Sequence, residues 1–145
     1  MKSEKKINIK KRIAVVAHDS YKADLINWIY LHKGVLVQHD LISTKRTGDI
    51  LEATSNHPVQ KLSHGFSGGF AQLRSMILEG NIDMILFFWP TEEDTENRSI
   101  IISLQRTAVN SNIITAFNPA TADFVITSLL MDKEHLGSTA GINVI

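Results

Sequence analysis

The chain has no cysteine among its 145 residues. That excludes disulfides, thiolate metal sites and a cysteine nucleophile, and it fits a cytoplasmic protein. No run of about 18 apolar residues is present to span a membrane, and the basic start MKSEKKINIKKR is followed by no apolar stretch of signal-peptide length. A soluble, cytoplasmic protein without membrane association is expected. Internal repeats, low-complexity runs and linkers are also missing. At 43% hydrophobic the length suits one domain with a full core rather than two. Net charge is zero but unevenly placed: residues 1–12 hold six of the 15 Lys and Arg and one of the 15 acids, leaving nine basic and 14 acidic residues, or minus five, in the remainder. No aromatic residue is interleaved with those lysines. The segment 1–11 therefore reads as a solvated, flexible basic tail on a domain of residues 12–145, and nucleic acid is not an expected partner.

What is present is an alternation of short apolar runs and amphipathic stretches. Residues 13–17 (IAVVA) form a continuous β-branched run that suits a strand buried on both faces. Asp19 and Ser20 offer N-cap chemistry for a helix over 21–32, with Leu25, Trp28, Ile29 and His32 at helical spacing and Gly34 ending it. Residues 35–43 read as a second strand, 47–54 as a short helix and 59–62 as a third strand. A helix over 68–79 stops at Gly80, and the strong strand 82–89 stops at Pro90. An acidic loop over 91–99, a helix over 100–110, a strand over 113–117 and a helix over 121–128 follow. This pattern predicts an α/β fold, a three-layer α/β/α Rossmann-like domain with a mainly parallel sheet and right-handed crossovers. Ligands of such folds sit at the carboxyl ends of the strands. Five polar segments follow the strand ends and are expected to converge there: His18 and Asp19, residues 44–48, residues 64–69, the loop after Trp89, and residues 118–121.

Several short pieces occur in a fixed order: Val16-Ala17-His18-Asp19 with Lys22, Thr44 and Thr47-Gly48, Gly68-Gly69, Ile82-Asp83 leading into Phe87-Phe88-Trp89, and Ala120-Thr121-Ala122-Asp123-Phe124. Together they make residues 12–128 resemble methylglyoxal synthase. The resemblance implies a methylglyoxal synthase-like fold, no cofactor or metal, and a homo-oligomer, a hexamer by family analogy. In that family dihydroxyacetone phosphate loses a proton to a carboxylate, and the enediolate then expels phosphate. The same fold serves as a regulatory domain in carbamoyl phosphate synthetase, so the family alone fixes no activity.

The resemblance assigns phosphate or substrate contacts to His18, Lys22, Thr44, Lys45, Arg46, Thr47, Gly48, His64 and Gly65, with Asp19 and Asp123 in support. Lys22 supplies a point charge, and residues 44–48 supply hydroxyls and backbone N–H groups at the start of a helix, where the dipole favours an anion. Two departures lie in this cradle. Lys45 and Arg46 stand where small or hydroxyl residues are usual, and His64 stands where serine is usual. The catalytic positions depart further. Phe70 occupies the place of the aspartate base after the glycine pair, Pro90 replaces the aspartate after Phe-Phe-Trp, and Asn97 and Ile100 align with a later histidine and aspartate. The chain's end, HLGSTAGINVI, lacks the helix that carries a basic residue to a neighbouring subunit's site, and Gly137, Ser138, Thr139 and Gly141 read as flexible or extended.

The expected function is binding of phosphate or a small phosphorylated metabolite, of the dihydroxyacetone phosphate class, by a non-catalytic sensor or regulatory module. The alternative is an active methylglyoxal synthase that uses a different base. A third reading is a partner-binding role in which Phe66, Phe70 and Trp89 form an exposed aromatic patch.

Overall fold

The structure, a computed structural model, describes residues 5–90 and 98–137. The acidic loop, with Asn97 in it, and the end from Ser138 onward lie outside the described residues.

Five parallel strands form the central sheet: β2 (Arg12–Ala17), β3 (Asp40–Thr44), β4 (Val59–Leu62), β5 (Met84–Phe88) and β6 (Ile114–Ala116), in the order β4-β3-β2-β5-β6. The two central strands are buried on both faces, which is why they read as unbroken apolar runs. Alternation along β2 divides the core. Ile13 and Val15 join Leu25, Trp28, Ile29 and Leu36 of α1 (Lys22–Leu36), Leu51 of α2 (Lys45–Ser55), and Ala122 and Ile126 of α5 (Pro119–Ile126). Ala14 and Val16 join Phe70, Leu73 and Ile77 of α3 (Gly69–Leu78), and Ile101, Leu104 and Ala108 of α4 (Arg98–Asn110). Helices therefore cover both faces, giving the three-layer arrangement. Among the described residues no helix is long and apolar enough to cross a membrane.

Two sequence expectations are corrected. The first helix does not end at Gly34 but runs to Leu36, and the following strand begins only at Asp40. An exposed glycine inside a helix costs about 1 kcal/mol relative to alanine. Here Leu36, fully buried against the sheet, more than offsets that cost. Likewise Asp19 and Ser20 do not cap α1. Its N-cap is Tyr21, with no side-chain cap bond, and residues 19–21 form a separate 3-10 turn capped by His18.

The basic segment set apart above supplies a short strand, β1 (Lys5–Ile7), paired antiparallel with β7 (His135–Gly137). Ile7 is buried, and so is Lys11, whose ammonium donates to the carbonyls of Ile9 and Lys133. Desolvation holds the Lys11 pKa below its ordinary value, against the pull of Asp83 and Asp132.

At the amino end of the sheet Asp83 is buried and accepts three bonds from Arg12, from the backbone N–H at 2.8 Å, Nε at 3.0 Å and Nη2 at 2.9 Å. It locks β5 beside β2. Asp83→Ala is expected to destabilise the fold by about 2–3 kcal/mol, the range for hydrogen bonds to charged groups. Breaking a fully buried pair costs more, about 3–5 kcal/mol, but the Arg12 side chain is 36% exposed and can turn to water. Urea unfolding checks this; a variant as stable as the wild type would remove the assignment.

Candidate functional site

The chain runs outward from β2 to β4 in one direction and returns to β5 and β6 on the other side. The crevice opened by that reversal lies at the carboxyl ends of the strands. A cleft of about 350 Å³ sits there, lined by residues that follow four strands: Ala17, His18 and Asp19 after β2; Thr44, Arg46 and Thr47 after β3; His64 to Ser67 and Phe70 after β4; and Trp89 after β5. The backbone bond from His18 N–H to the Phe88 carbonyl, 2.9 Å, holds the β2 and β5 ends together. A larger opening, about 570 Å³, lies at the other end of the sheet around Arg12, Asp40 and Asn81. We set it aside as a site for an anion, because the Arg12 guanidinium is already committed to Asp83.

One wall of the cleft is suited to an anion. Thr44 is the N-cap of α2, yet its side chain makes no cap bond. Thr44 and Thr47 are 5% and 6% exposed, neither hydroxyl is sealed from the cleft, and neither has a hydrogen-bond partner among the described residues. Buried hydroxyls ordinarily find partners. Here the free valences face a cavity at a helix N-terminus, where the dipole favours negative charge.

Arg46 Nη1 donates to Asp19 Oδ2 at 2.9 Å, and Lys22 Nζ lies 3.6 Å from Asp19 Oδ1. Two cations against one carboxylate leave one positive charge. Partial burial pushes the Asp19 carboxyl up, but Lys22 and Arg46 together outweigh it and hold the group below the usual carboxylate range. Asp19 thus orients cations rather than capping a helix.

His18 completes this side. Its Nδ1 accepts the Ser20 backbone N–H at 3.1 Å and lies 2.8 Å from the Ser20 hydroxyl. An accepting Nδ1 places the proton of the neutral ring on Nε2, making that nitrogen a donor suited to a substrate oxygen. The sequence reading named His18 and missed Ser20 as its orienting partner; the His-x-Ser spacing was the available signal.

The opposite wall is aromatic. Phe70 is 5% exposed and belongs to the core on the α3 side of the sheet. Its ring lies against Gly65 so closely that a Cβ there would come within 2.5 Å of two ring carbons. Gly65 therefore makes room for the benzyl group. Gly68 and Gly69 bring Phe70 there for two different reasons. Gly68 has φ +115°, a left-handed conformation that side chains disfavour, and a Cβ on Gly69 would meet the Ser63 carbonyl at 2.2 Å. Phe66, Phe70 and Trp89 meet edge to face at centroid distances of 4.9, 5.8 and 6.0 Å, and His18 meets Trp89 edge-on at 4.9 Å.

Not every residue expected in the crevice lines it; Lys22 does not, and meets it only through Asp19, 3.6 Å away. Lys45 turns onto Asp49, 2.6 Å away. Gly48 packs under the Lys61 side chain, where a Cβ would lie 2.9 Å from Lys61 Cγ. Lys61 itself bridges Asp49 and Glu52 at 3.0 and 2.9 Å. Asp123 accepts from Trp28 Nε1 at 2.8 Å and pairs with His32 Nε2 at 2.9 Å, so it pins α5 to α1. Residues 118–121 follow the edge strand β6, beyond β5, and the Asn118 side chain is spent on capping α5 through Thr121 N–H. Ile100, on the first turn of α4, lines a neighbouring opening instead. Pro90 follows Trp89, half-buried.

A parallel α/β domain with a polar-lined cleft at its strand reversal defines the class, and the MGS-like domain family matches residues 24–117. The chain is 40% identical over 125 residues to the methylglyoxal synthase of Coxiella burnetii (strain Dugway 5J108-111), covering 86% of this chain and 87% of that protein. It is 39% identical over 140 residues to the methylglyoxal synthase of Actinobacillus pleuropneumoniae serotype 3, covering 97% and 89%. The crystal structure of methylglyoxal synthase from Elizabethkingia anophelis NUHP1 superposes with a TM-score of 0.87 at 37% identity, over 94% of this chain and 90% of that one. The chain belongs to the methylglyoxal synthase family.

Proposed function

We propose that this protein binds phosphate or a small phosphorylated metabolite in the cleft at the carboxyl ends of β2 to β5, and that it does so as a non-catalytic, regulatory member of its family. The observation that carries this reading is the contrast between the two walls. One offers two threonine hydroxyls that are open to the cleft and have no hydrogen-bond partner among the described residues, a helix N-terminus, and Arg46 and Lys22 gathered on Asp19. The other carries the Phe70 ring, packed on Gly65, where a carboxylate would have to stand. Anion binding needs only the first wall, whereas proton abstraction needs a base on the second.

Calorimetry with inorganic phosphate is expected to show binding that weakens as salt rises. Lys22→Ala and Arg46→Ala should each weaken it by about 1–3 kcal/mol, the worth of a hydrogen bond to a charged group. Lys45→Ala should leave it unchanged, because that ammonium is turned onto Asp49. No binding at millimolar phosphate, or equal binding by both the Lys22 and Arg46 variants, would leave the cleft as an inherited shape without a ligand.

A further inference from the structure

We infer that the phosphorylated ligand of this cleft is a phosphomonoester whose carbon part is apolar or aromatic, in place of a polar triose. The inference rests on the phosphate reading above and specifies what the phosphate carries. The anion cleft adjoins a second opening of about 310 Å³, and the two share Gly65, Phe66 and Phe70 as lining residues. Beyond those three residues the second opening is lined by Gly68, Ala71 and Arg74 of the α3 side and by Ser99, Ile100, Ser103 and Leu104 of α4, with the Arg74 Nε already donating to Thr107 Oγ1 at 3.1 Å. Phe66 is 43% exposed and Ile100 41% exposed, so both present apolar surface to the opening.

A ligand anchored by its phosphate at Thr44, Thr47 and Arg46 has Phe66, Phe70 and Trp89 lining the same cleft for its carbon part to meet. A triose would set hydroxyl and carbonyl oxygens against three aromatic rings. Polar groups desolvated without hydrogen bonds oppose binding. A flat apolar group instead gains by leaving water and can enter the existing edge-to-face arrangement, whose ring centroids lie 4.9 to 6.0 Å apart. The exchange of a carboxylate for the Phe70 ring thus changes the kind of ligand the pocket favours, in addition to removing a base.

The test compares phenyl phosphate, glycerol 3-phosphate and inorganic phosphate by calorimetry on the full chain, at a pH where both esters are dianions. Phenyl phosphate is expected to bind about tenfold more tightly than glycerol 3-phosphate, the gain when roughly half of a phenyl ring leaves water. Phe66→Ala, a change at a partly exposed ring that the core does not need, should bring that ratio close to one. Equal affinities of the two esters for the wild-type protein would overturn this inference while leaving phosphate binding in place. A ratio that survives Phe66→Ala would also overturn it, because the discrimination would then arise elsewhere. Failure of all three compounds to bind would end both readings together.

Discussion

Purified protein incubated with dihydroxyacetone phosphate is expected to release no inorganic phosphate above the uncatalysed background, under conditions where a methylglyoxal synthase relative turns over readily. Removing a positioned general base typically lowers the rate by about 10²–10⁴, and the family resemblance implies changes at Pro90, Asn97 and Ile100 as well as at Phe70. Among the described residues the cleft holds one carboxylate, Asp19, and two imidazoles, His18 and His64. Asp19 is a poor substitute. Lys22 and Arg46 hold its pKa below the ordinary carboxylate value, and a lowered pKa means a weaker proton acceptor. His18 uses its basic nitrogen, Nδ1, on Ser20 and keeps its proton on Nε2, so it can donate to an oxygen but not take a proton from carbon. His64 is exposed, and no side-chain hydrogen bond among the described residues orients its ring. A coupled assay for phosphate release checks this. Robust turnover abolished by His64→Ala or Asp19→Asn would show that a different base has taken over and would make the chain an active synthase.

Phe70→Asp is expected to destabilise the protein by at least about 3 kcal/mol and to restore little or no turnover. Truncating a buried phenylalanine costs about 3–5 kcal/mol through lost transfer energy and the cavity left behind. The Phe70 ring is 5% exposed, sits in the core with Leu73 and Ile77, and fills the space above Gly65. A carboxylate among those core side chains would add a desolvation penalty. The family resemblance implies that a polar residue would still be missing at Pro90. Urea unfolding and the phosphate-release assay, run on the same preparation, check both parts. A variant as stable as the wild type that also makes methylglyoxal would mean that one substitution separates this chain from an enzyme, and that the rest of the site is competent.

The elements most legible in the sequence were those whose environment is uniform. The runs IAVVA and MILFF predict strands buried on both faces because the strands lie at the middle of a covered parallel sheet, where every side chain meets the core. Val59–Leu62 was readable although it is a half-buried edge strand, and the helix expected over 68–79 runs over Gly69–Leu78, where Gly80, at φ +78°, supplies a stop. Gly34 misled because the same residue type serves two purposes. It ends a helix where the chain must turn, but it is tolerated inside one when a residue such as Leu36 has a core to reach. Nothing local distinguishes the two cases.

For the site, the sequence by itself determined which chemical groups are available and which one is absent. Strand ends in a parallel sheet gather the segments that follow them, so the contributions of His18, Thr44, Thr47 and His64 to one crevice followed from strand order alone. The identity of Phe70 settled that no carboxylate stands after the glycine pair. Only the tertiary structure decided where long, flexible side chains go. Lys45 and Arg46 are adjacent in sequence, yet one turns to Asp49 and the other crosses to Asp19, because a helix's first turn sends neighbouring side chains in different directions and each ammonium or guanidinium settles on the nearest carboxylate. It also decided that Asp123 belongs to the contact between α1 and α5, and that Phe70 rests on Gly65 as part of a continuous aromatic wall. Those outcomes depend on distances between elements that no local pattern encodes.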